Sequence, residues 1–298
     1  MLPAARMHTA VLYSSTGSTY EIGRALGNGG MGHVFLAQRS TAGRQGVRQL
    51  VTLKILRPDA TQQARRLFYH EGVLLPRLQH EHIVAFLERG RGVLQGSGPV
   101  DYLALRYVPG PTLDAVLKQA NGPLSPLAVL GIAAQLAAAL GYLHERGIVH
   151  CDLKPGNVLL EHAAPRVVLI DFGIARAPDF VGEPVAVGTP QYMAPEQAEP
   201  AAPCDGRTDI YALGVLLYEL LTGRRLFPRR TTTDIRQGRQ IEPHPDLLTG
   251  ALHPELAAVL RRAVRRDPDE RYPTTATLLD DLRRAMHIAA GCTRGDHG

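Results

Sequence analysis

At "VPGPT", residues 108–112, the sequence changes character, and that change constrains the fold more than any other feature. Upstream, short β-rich runs alternate with Gly-rich or polar turns. They predict strands over Tyr20–Leu26, His33–Gln38, Leu50–Ile55, Val84–Glu88 and Tyr102–Val108. One helical period interrupts them, roughly Thr61 to Leu78, with an apolar face through Leu67, Leu74, Leu75 and Leu78. Downstream, long helices dominate: Leu113–Gln119, Pro126–Arg146, Asp209–Thr222, Pro254–Arg266 and Thr275–His287. Strands gathered before helices predict an α+β chain in two lobes. A loose lead-in covers 1–19, a β-rich lobe with one main helix covers 20–108, a mainly helical lobe covers 109–287, and a tail covers 288–298.

Composition narrows the class. The chain has 298 residues, 45% hydrophobic and 20% charged, which are globular values. The longest apolar stretch, Ala128 to Leu143, is interrupted by Gln135 and is too short to span a membrane comfortably. The first residues, "MLPAARMHTAVLYSSTGST", lack a long apolar core and a cleavage site, so no signal peptide is expected. Three Cys, far apart and odd in number, make no disulfide framework, and the expected compartment is the cytoplasm. The net charge of +5 is spread along the chain without a nucleic-acid motif, so no nucleic-acid partner is expected. Of the 33 Lys and Arg, only Lys54, Lys118 and Lys154 are Lys. A chain that writes cations as Arg has used the compact ammonium at three places, where a flat guanidinium differs in shape and reach.

Four stretches carry chemistry. "LGNGGMGHV", Leu26 to Val34, places Gly27, Gly29 and Gly32 in a G-x-G-x-x-G-x-V pattern, which suits either close approach of backbone to phosphate or a plain hairpin. A strand rather than a helix follows Gly32, so it is not a dinucleotide fingerprint. In "VTLKIL", Lys54 sits in an apolar strand; it is either a surface lysine with a packed stem or a buried cation needing a partner such as Glu71 on the next helix. In "IVHCDLKPGNVLL", a polar centre lies between apolar ends that predict short strands, so the loop is held rigidly. In "VVLIDFGIA", Asp171 ends an apolar strand. Asp171 and Asn157 are oxygen donors suited to Mg²⁺. Asp152 can accept or orient a hydroxyl proton, and Lys154 can offset charge on a phosphoryl group.

These motifs, with "APE" at Ala194–Glu196, "TDIYALGVLLYELLTG" and "RRDPDERYPT", follow the order and approximate spacing of the eukaryotic-like Ser/Thr protein kinases, over about Tyr20 to Met286. "GGMGHVFLA" and "GTPQYMAPEQA" resemble the bacterial branch. The resemblance implies a bilobal protein-kinase-like fold that uses ATP and Mg²⁺. Lys54 would bind the α/β-phosphates and pair with Glu71. Asp171 and Asn157 would hold the metal, Asp152 would serve the substrate hydroxyl, and Lys154 would lie near the γ-phosphate. Thr189 would support the Asp152–Lys154 pair. The hinge at Arg106–Val108 would offer the backbone of Arg106 and Val108 to adenine. Leu26, Val34, Thr52 and Leu159 would sandwich the ring, with Leu105 as gatekeeper. Asp209 and Gly214 match the long C-lobe helix, and Arg271 matches the partner of Glu196.

The sequence departs from the family in places. Cys151 stands where most members have Arg, part of a cationic pocket for a phosphorylated activation-loop residue. Ile174 to Gly188, "IARAPDFVGEPVAVG", contains no Ser, Thr or Tyr, so receptor and ligand of that switch are absent together. Cys151 is then a small apolar filler or, alternatively, a redox-sensing thiol. Gly72 and Pro76 follow Glu71, and Pro76 predicts that the helix ends or bends there. The segment Arg224 to Arg239 carries six Arg and reads either as a solvated surface or as a dock for an acidic partner. Three functions stand side by side: an active Ser/Thr protein kinase acting on protein substrates, a nucleotide-binding pseudokinase, and a small-molecule phosphotransferase of the aminoglycoside-kinase type. The sequence does not name an oligomeric state.

Overall fold

Alternating apolar residues close the N-terminal strands into a barrel. β1 (Val11–Ser14), β2 (Ser18–Asn28), β3 (Gly32–Thr41), β4 (Arg48–Leu56), β5 (Phe86–Leu94) and β6 (Gly98–Arg106) follow in sequence, with α1 (Gln62–Leu74) between β4 and β5. The spatial order is β1-β2-β3-β4-β6-β5, every pair antiparallel, and β5 returns to pair with β1. The computed structural model describes residues 10–28, 32–41, 48–162, 164–178, 188–199, 202–228, 230–231, 233–234, 237 and 252–295. It divides between Pro109 and Gly110 into two compact units.

Period-2 alternation sends Tyr20 and Ile22, Phe35 and Ala37, Val51, Leu53 and Ile55, and Val100, Tyr102 and Ala104 into the barrel. Each large apolar side chain buried this way contributes roughly 1.5–3 kcal/mol. Residues 11–14, expected in a loose lead-in, form β1 instead. "VLYS" is too short to announce a strand alone. Pairing with both β2 and β5 completes its hydrogen bonds, and Leu12 is fully buried. At one end of the barrel, Glu88 accepts hydrogen bonds from Ser14 at 2.8 Å, Thr16 at 2.5 Å, Ser18 at 2.9 Å and Arg39 at 2.6 Å, and a further short one from Tyr102. Burial works to raise the Glu88 carboxyl, but the hydroxyls of Thr16, Tyr102, Ser14 and Ser18 outweigh it and hold the carboxyl at about 2.

α1 opens on Thr61, whose hydroxyl accepts the Ala64 N–H at 3.1 Å. It ends at Leu74, and Leu75–Arg77 continue as a 3₁₀ turn around Pro76, so the expected helix to Leu78 stops early at the proline. Gly72 has a packing role. A Cβ there would lie 2.8 Å from Leu103 Cδ2 and 3.3 Å from Arg89 Cδ, so glycine lets α1 press against β5 and β6.

The second unit is helical. α2 (Leu113–Ala120), α3 (Pro126–His144), β7 (Val158–Glu161), β8 (Arg166–Leu169), α4 (Gly206–Thr222), α5 (Pro254–Ala263) and α6 (Thr275–Gly295) follow in order. Ser125 caps α3, Asp205 caps α4, and Gly223 ends α4 in the left-handed region at φ 68. α3 is long and apolar enough to cross a membrane by length and composition. Here it packs against α4, α6 and β8, burying Val129, Ile132, Leu136, Leu140 and Leu143. α6 runs through most of what the sequence suggested as a tail. Of the arginines between 224 and 239, Arg224 and Arg225 are exposed, whereas Arg230 is buried, donating to the Met193 carbonyl at 2.9 Å and to the Tyr211 hydroxyl at 2.8 Å. Arg230 therefore belongs to no basic surface, because its guanidinium lies over Phe227 and Tyr211. Arg229, Arg236 and Arg239 lie outside the described residues.

Candidate active site

In the first unit, antiparallel register gathers the expected phosphate and ring contacts. Val34 pairs with Gly27 on β2 and with Lys54 on β4, and Thr52 pairs with Leu105 on β6. Leu26 is at the edge of exposure and Leu105 is buried. Gly29 lies outside the described residues. A Cβ on Gly27 would meet nothing within 4 Å. A Cβ on Gly32 would lie 2.4 Å from the Ile55 carbonyl oxygen, so its glycine serves the close approach of β3 to β4. The Arg106 N–H donates to the Ala85 carbonyl at 2.8 Å, and Val108 is buried.

Lys54 is no surface lysine. Its Nζ lies 2.5 Å from Glu71 Oε2, with Lys54 7% exposed and Glu71 fully buried. The strand fixes the Lys54 Cα and α1 fixes Glu71, so a compact cation is held on a buried carboxylate.

In the second unit, the polar loop has a strand on one apolar flank only, since Ile148–Val149 forms a single bridge rather than the expected strand. Val158–Glu161 forms β7, and Val149 bridges to Arg176. Lys154 Nζ lies 2.6 Å from Asp152 Oδ2. Asn157 Nδ2 donates to the same oxygen at 2.8 Å and to the Asp152 carbonyl at 2.9 Å. That use of Nδ2 leaves Oδ1 as the amide's acceptor. The Ile170 N–H donates to the Asn157 carbonyl at 2.9 Å, and β7 pairs with β8 just before Asp171. Asp171 has φ 66 and accepts a long 3.5 Å hydrogen bond from the Gly173 N–H. A carboxylate and an amide oxygen are hard donors and fit Mg²⁺. Leu159, half-buried in β7, bridges to Thr112. The Thr189 carbonyl receives the N–H groups of Tyr192 at 2.9 Å and Met193 at 3.2 Å; its described contacts do not include Asp152 or Lys154.

Beneath the loop, fully buried Asp209 accepts the N–H of His150 and of Cys151, each at 2.9 Å, and lies 2.9 Å from His144 Nε2. Burial works to raise this carboxyl, but the His144 hydrogen bond and the neighbouring imidazoles hold it below the usual range. His150 meets Phe172 edge-on at 4.9 Å between centroids. Glu196 receives two hydrogen bonds from Arg271, at 2.7 and 2.8 Å, and one from Thr208 at 2.8 Å. Cys151 is buried, and burial foremost, then Asp209, pushes its thiol up. This is the opposite of what a reactive thiolate needs, and it favours the apolar-filler reading. Gln197, directly after Glu196, carries no motif signal in the sequence. Its Oε1 accepts the Ala194 N–H at 2.9 Å and its Nε2 donates to the Cys151 carbonyl at 2.8 Å.

A β-rich unit holding a Lys–Glu pair and a helical unit holding an Asp-x-Lys-x-x-Asn loop are the two halves of the protein kinase architecture. The family model described as the protein kinase domain matches residues 20–281, and the chain belongs to that family. The chain is 35% identical over 274 residues to serine/threonine-protein kinase PknB of Mycolicibacterium smegmatis, covering 89% of this chain and 42% of that protein. It is 36% identical over 290 residues to the probable serine/threonine-protein kinase CE0033 of Corynebacterium efficiens, covering 91% and 42%. The crystal structure of the Mycobacterium tuberculosis PknI kinase domain matches with a TM-score of 0.69 at 29% identity, covering 91% of this chain and 97% of that one. The chain thus spans about two fifths of the length of the curated relatives it matches.

Proposed function

We propose that this chain transfers the γ-phosphoryl group of ATP to Ser and Thr hydroxyls of protein substrates, assisted by Mg²⁺. The observation that carries this reading is the Asp152 carboxylate, held on one oxygen by Lys154 at 2.6 Å and by Asn157 at 2.8 Å. The described side-chain contacts of Asp152 fall on Oδ2, so Oδ1 is the oxygen that meets a hydroxyl. Asp152 orients that hydroxyl and takes its proton as the oxygen is phosphorylated. Lys154 offsets charge on the transferring group. Lys54, fixed by Glu71, takes the α/β-phosphates, and Asp171 with Asn157 Oδ1 takes the metal, which when bound neutralises phosphate charge. The adenine contacts are the backbone of Arg106 and Val108 and the side chains of Leu26, Val34, Thr52, Leu105 and Leu159.

The reading extends to regulation. The segment 174–188 offers no hydroxyl, and Cys151 offers no cation to a phosphate. Transfer therefore proceeds without activation-loop phosphorylation. Exposed Arg224 and Arg225 suit an acidic partner, and a cytoplasmic setting agrees with the cysteine usage.

Radiolabelled ATP with a generic protein substrate tests the activity, with and without Mg²⁺ and with and without an aminoglycoside. Mg²⁺-dependent label on Ser and Thr is the expected result. Label on the aminoglycoside alone would show a small-molecule phosphotransferase. Nucleotide binding with no transfer would show a pseudokinase.

A further inference from the structure

We infer that Gln197 is a positioning residue for Asp152, supplying with a neutral amide the order that a phosphate–arginine pair supplies elsewhere in the family. The inference rests on the kinase reading above and deepens it. Cys151 has φ 64, a left-handed conformation that a side-chain-bearing residue keeps only when its surroundings hold it there. Both of its backbone polar atoms are captured: the N–H donates to Asp209 Oδ1 at 2.9 Å, and the carbonyl accepts from Gln197 Nε2 at 2.8 Å.

That carbonyl belongs to the same planar unit as the Asp152 N–H. The N–H edge of the plane donates to His150 Nδ1 at 3.2 Å. The peptide that enters the catalytic aspartate is therefore pinned along both edges, by His150 on one side and Gln197 on the other. Rotation about the Cys151 Cα–C bond would break both contacts, swing the Asp152 Cα and carry its carboxylate away from Lys154 and Asn157.

Gln197 is itself rigidly mounted. It is 7% exposed, its Oε1 is engaged by the Ala194 N–H at 2.9 Å, and the adjoining Glu196 is locked by Arg271 and Thr208. The segment after Gly188 is also held from below, where Arg230 donates to the Met193 carbonyl at 2.9 Å. This fastening uses amide, guanidinium and carbonyl groups already in the chain. It attaches to Cys151 through the backbone, so the missing side-chain cation does not matter to it.

Two near-isosteric variants separate the roles of the amide. Gln197→Met removes both hydrogen bonds. Gln197→Glu keeps an acceptor for Ala194 but turns a carboxylate oxygen toward the Cys151 carbonyl. Steady-state kinetics on a protein substrate, with nucleotide affinity measured separately, should show kcat lowered tenfold or more in both variants and ATP affinity within about twofold of wild type. Wild-type kcat in Gln197→Glu would overturn the inference, because it would leave the Ala194 contact as the whole role. Parallel loss of kcat and nucleotide affinity in both variants would also overturn it, by reducing Gln197 to general structural support. Absence of Ser/Thr transfer by the wild-type protein would count instead against the kinase reading.

Discussion

Asp152 and Lys54 differ in how the fold holds them, and their variants should fail differently. Asp152 is half-buried and gathers two donors on one oxygen. Asp152→Asn keeps the shape but removes the group proposed to act on the hydroxyl. Turnover should fall roughly 10²- to 10⁴-fold with nucleotide affinity nearly intact; turnover equal to wild type would remove Asp152 from its role. Lys54 is buried beside a fully buried carboxylate, and a longer, flat fork differs in reach and shape from the ammonium held there. Lys54→Arg should therefore weaken ATP binding and transfer although it keeps the charge. Full activity in that variant would show that the compact ammonium is not needed. Both residues stood out in the sequence because each belongs to a string of unusual spacing, and the expected Lys54–Glu71 pairing is seen. Gln197 did not: a glutamine after a motif carries no signal until its amide is seen to bridge two loops.

Among the elements, α2, α3 and α5 were legible to within a few residues, since a cap such as Ser125 and stops such as Pro76 and Gly223 act locally, whereas α4 starts three residues before the expected Asp209 and α6 runs past the expected His287 to Gly295. β1 was not legible, because one of its two strand partners, β5, lies more than seventy residues away in sequence. The Glu88 network that fastens it gives a pH signature. Its carboxyl is depressed from 4.5 to about 2 in the folded chain, so its stabilisation is full above 4.5 and is lost as pH falls toward 2. Acid unfolding followed by tyrosine fluorescence, in a chain with 10 Tyr and no Trp, should show wild type losing stability across that window while Glu88→Gln changes less. Parallel curves would mean that Glu88 contributes nothing there. Gly72 makes a second prediction for this unit. Gly72→Ala puts a methyl 2.8 Å from Leu103 Cδ2, which should push α1 outward, loosen the Lys54–Glu71 pair and raise KM for ATP several-fold. An unchanged KM would show that Leu103 simply yields.

For the whole molecule, the kinase family was legible from motif order, and the helical and β-rich halves from the change of period at residues 108–112. What the sequence left open was whether the absent Arg at Cys151 signals a dead enzyme or a differently ordered one. The buried Lys54–Glu71 pair, the Asp152–Lys154–Asn157 cluster and the backbone fastening of Cys151 favour the second reading. The progress curve of phosphatase-treated protein, given Mg-ATP and a protein substrate, tests this most directly. Transfer should be linear from the first time point, with no phosphate mapped between Ile174 and Thr189. A lag abolished by preincubation with ATP, with phosphate found in that segment, would contradict it.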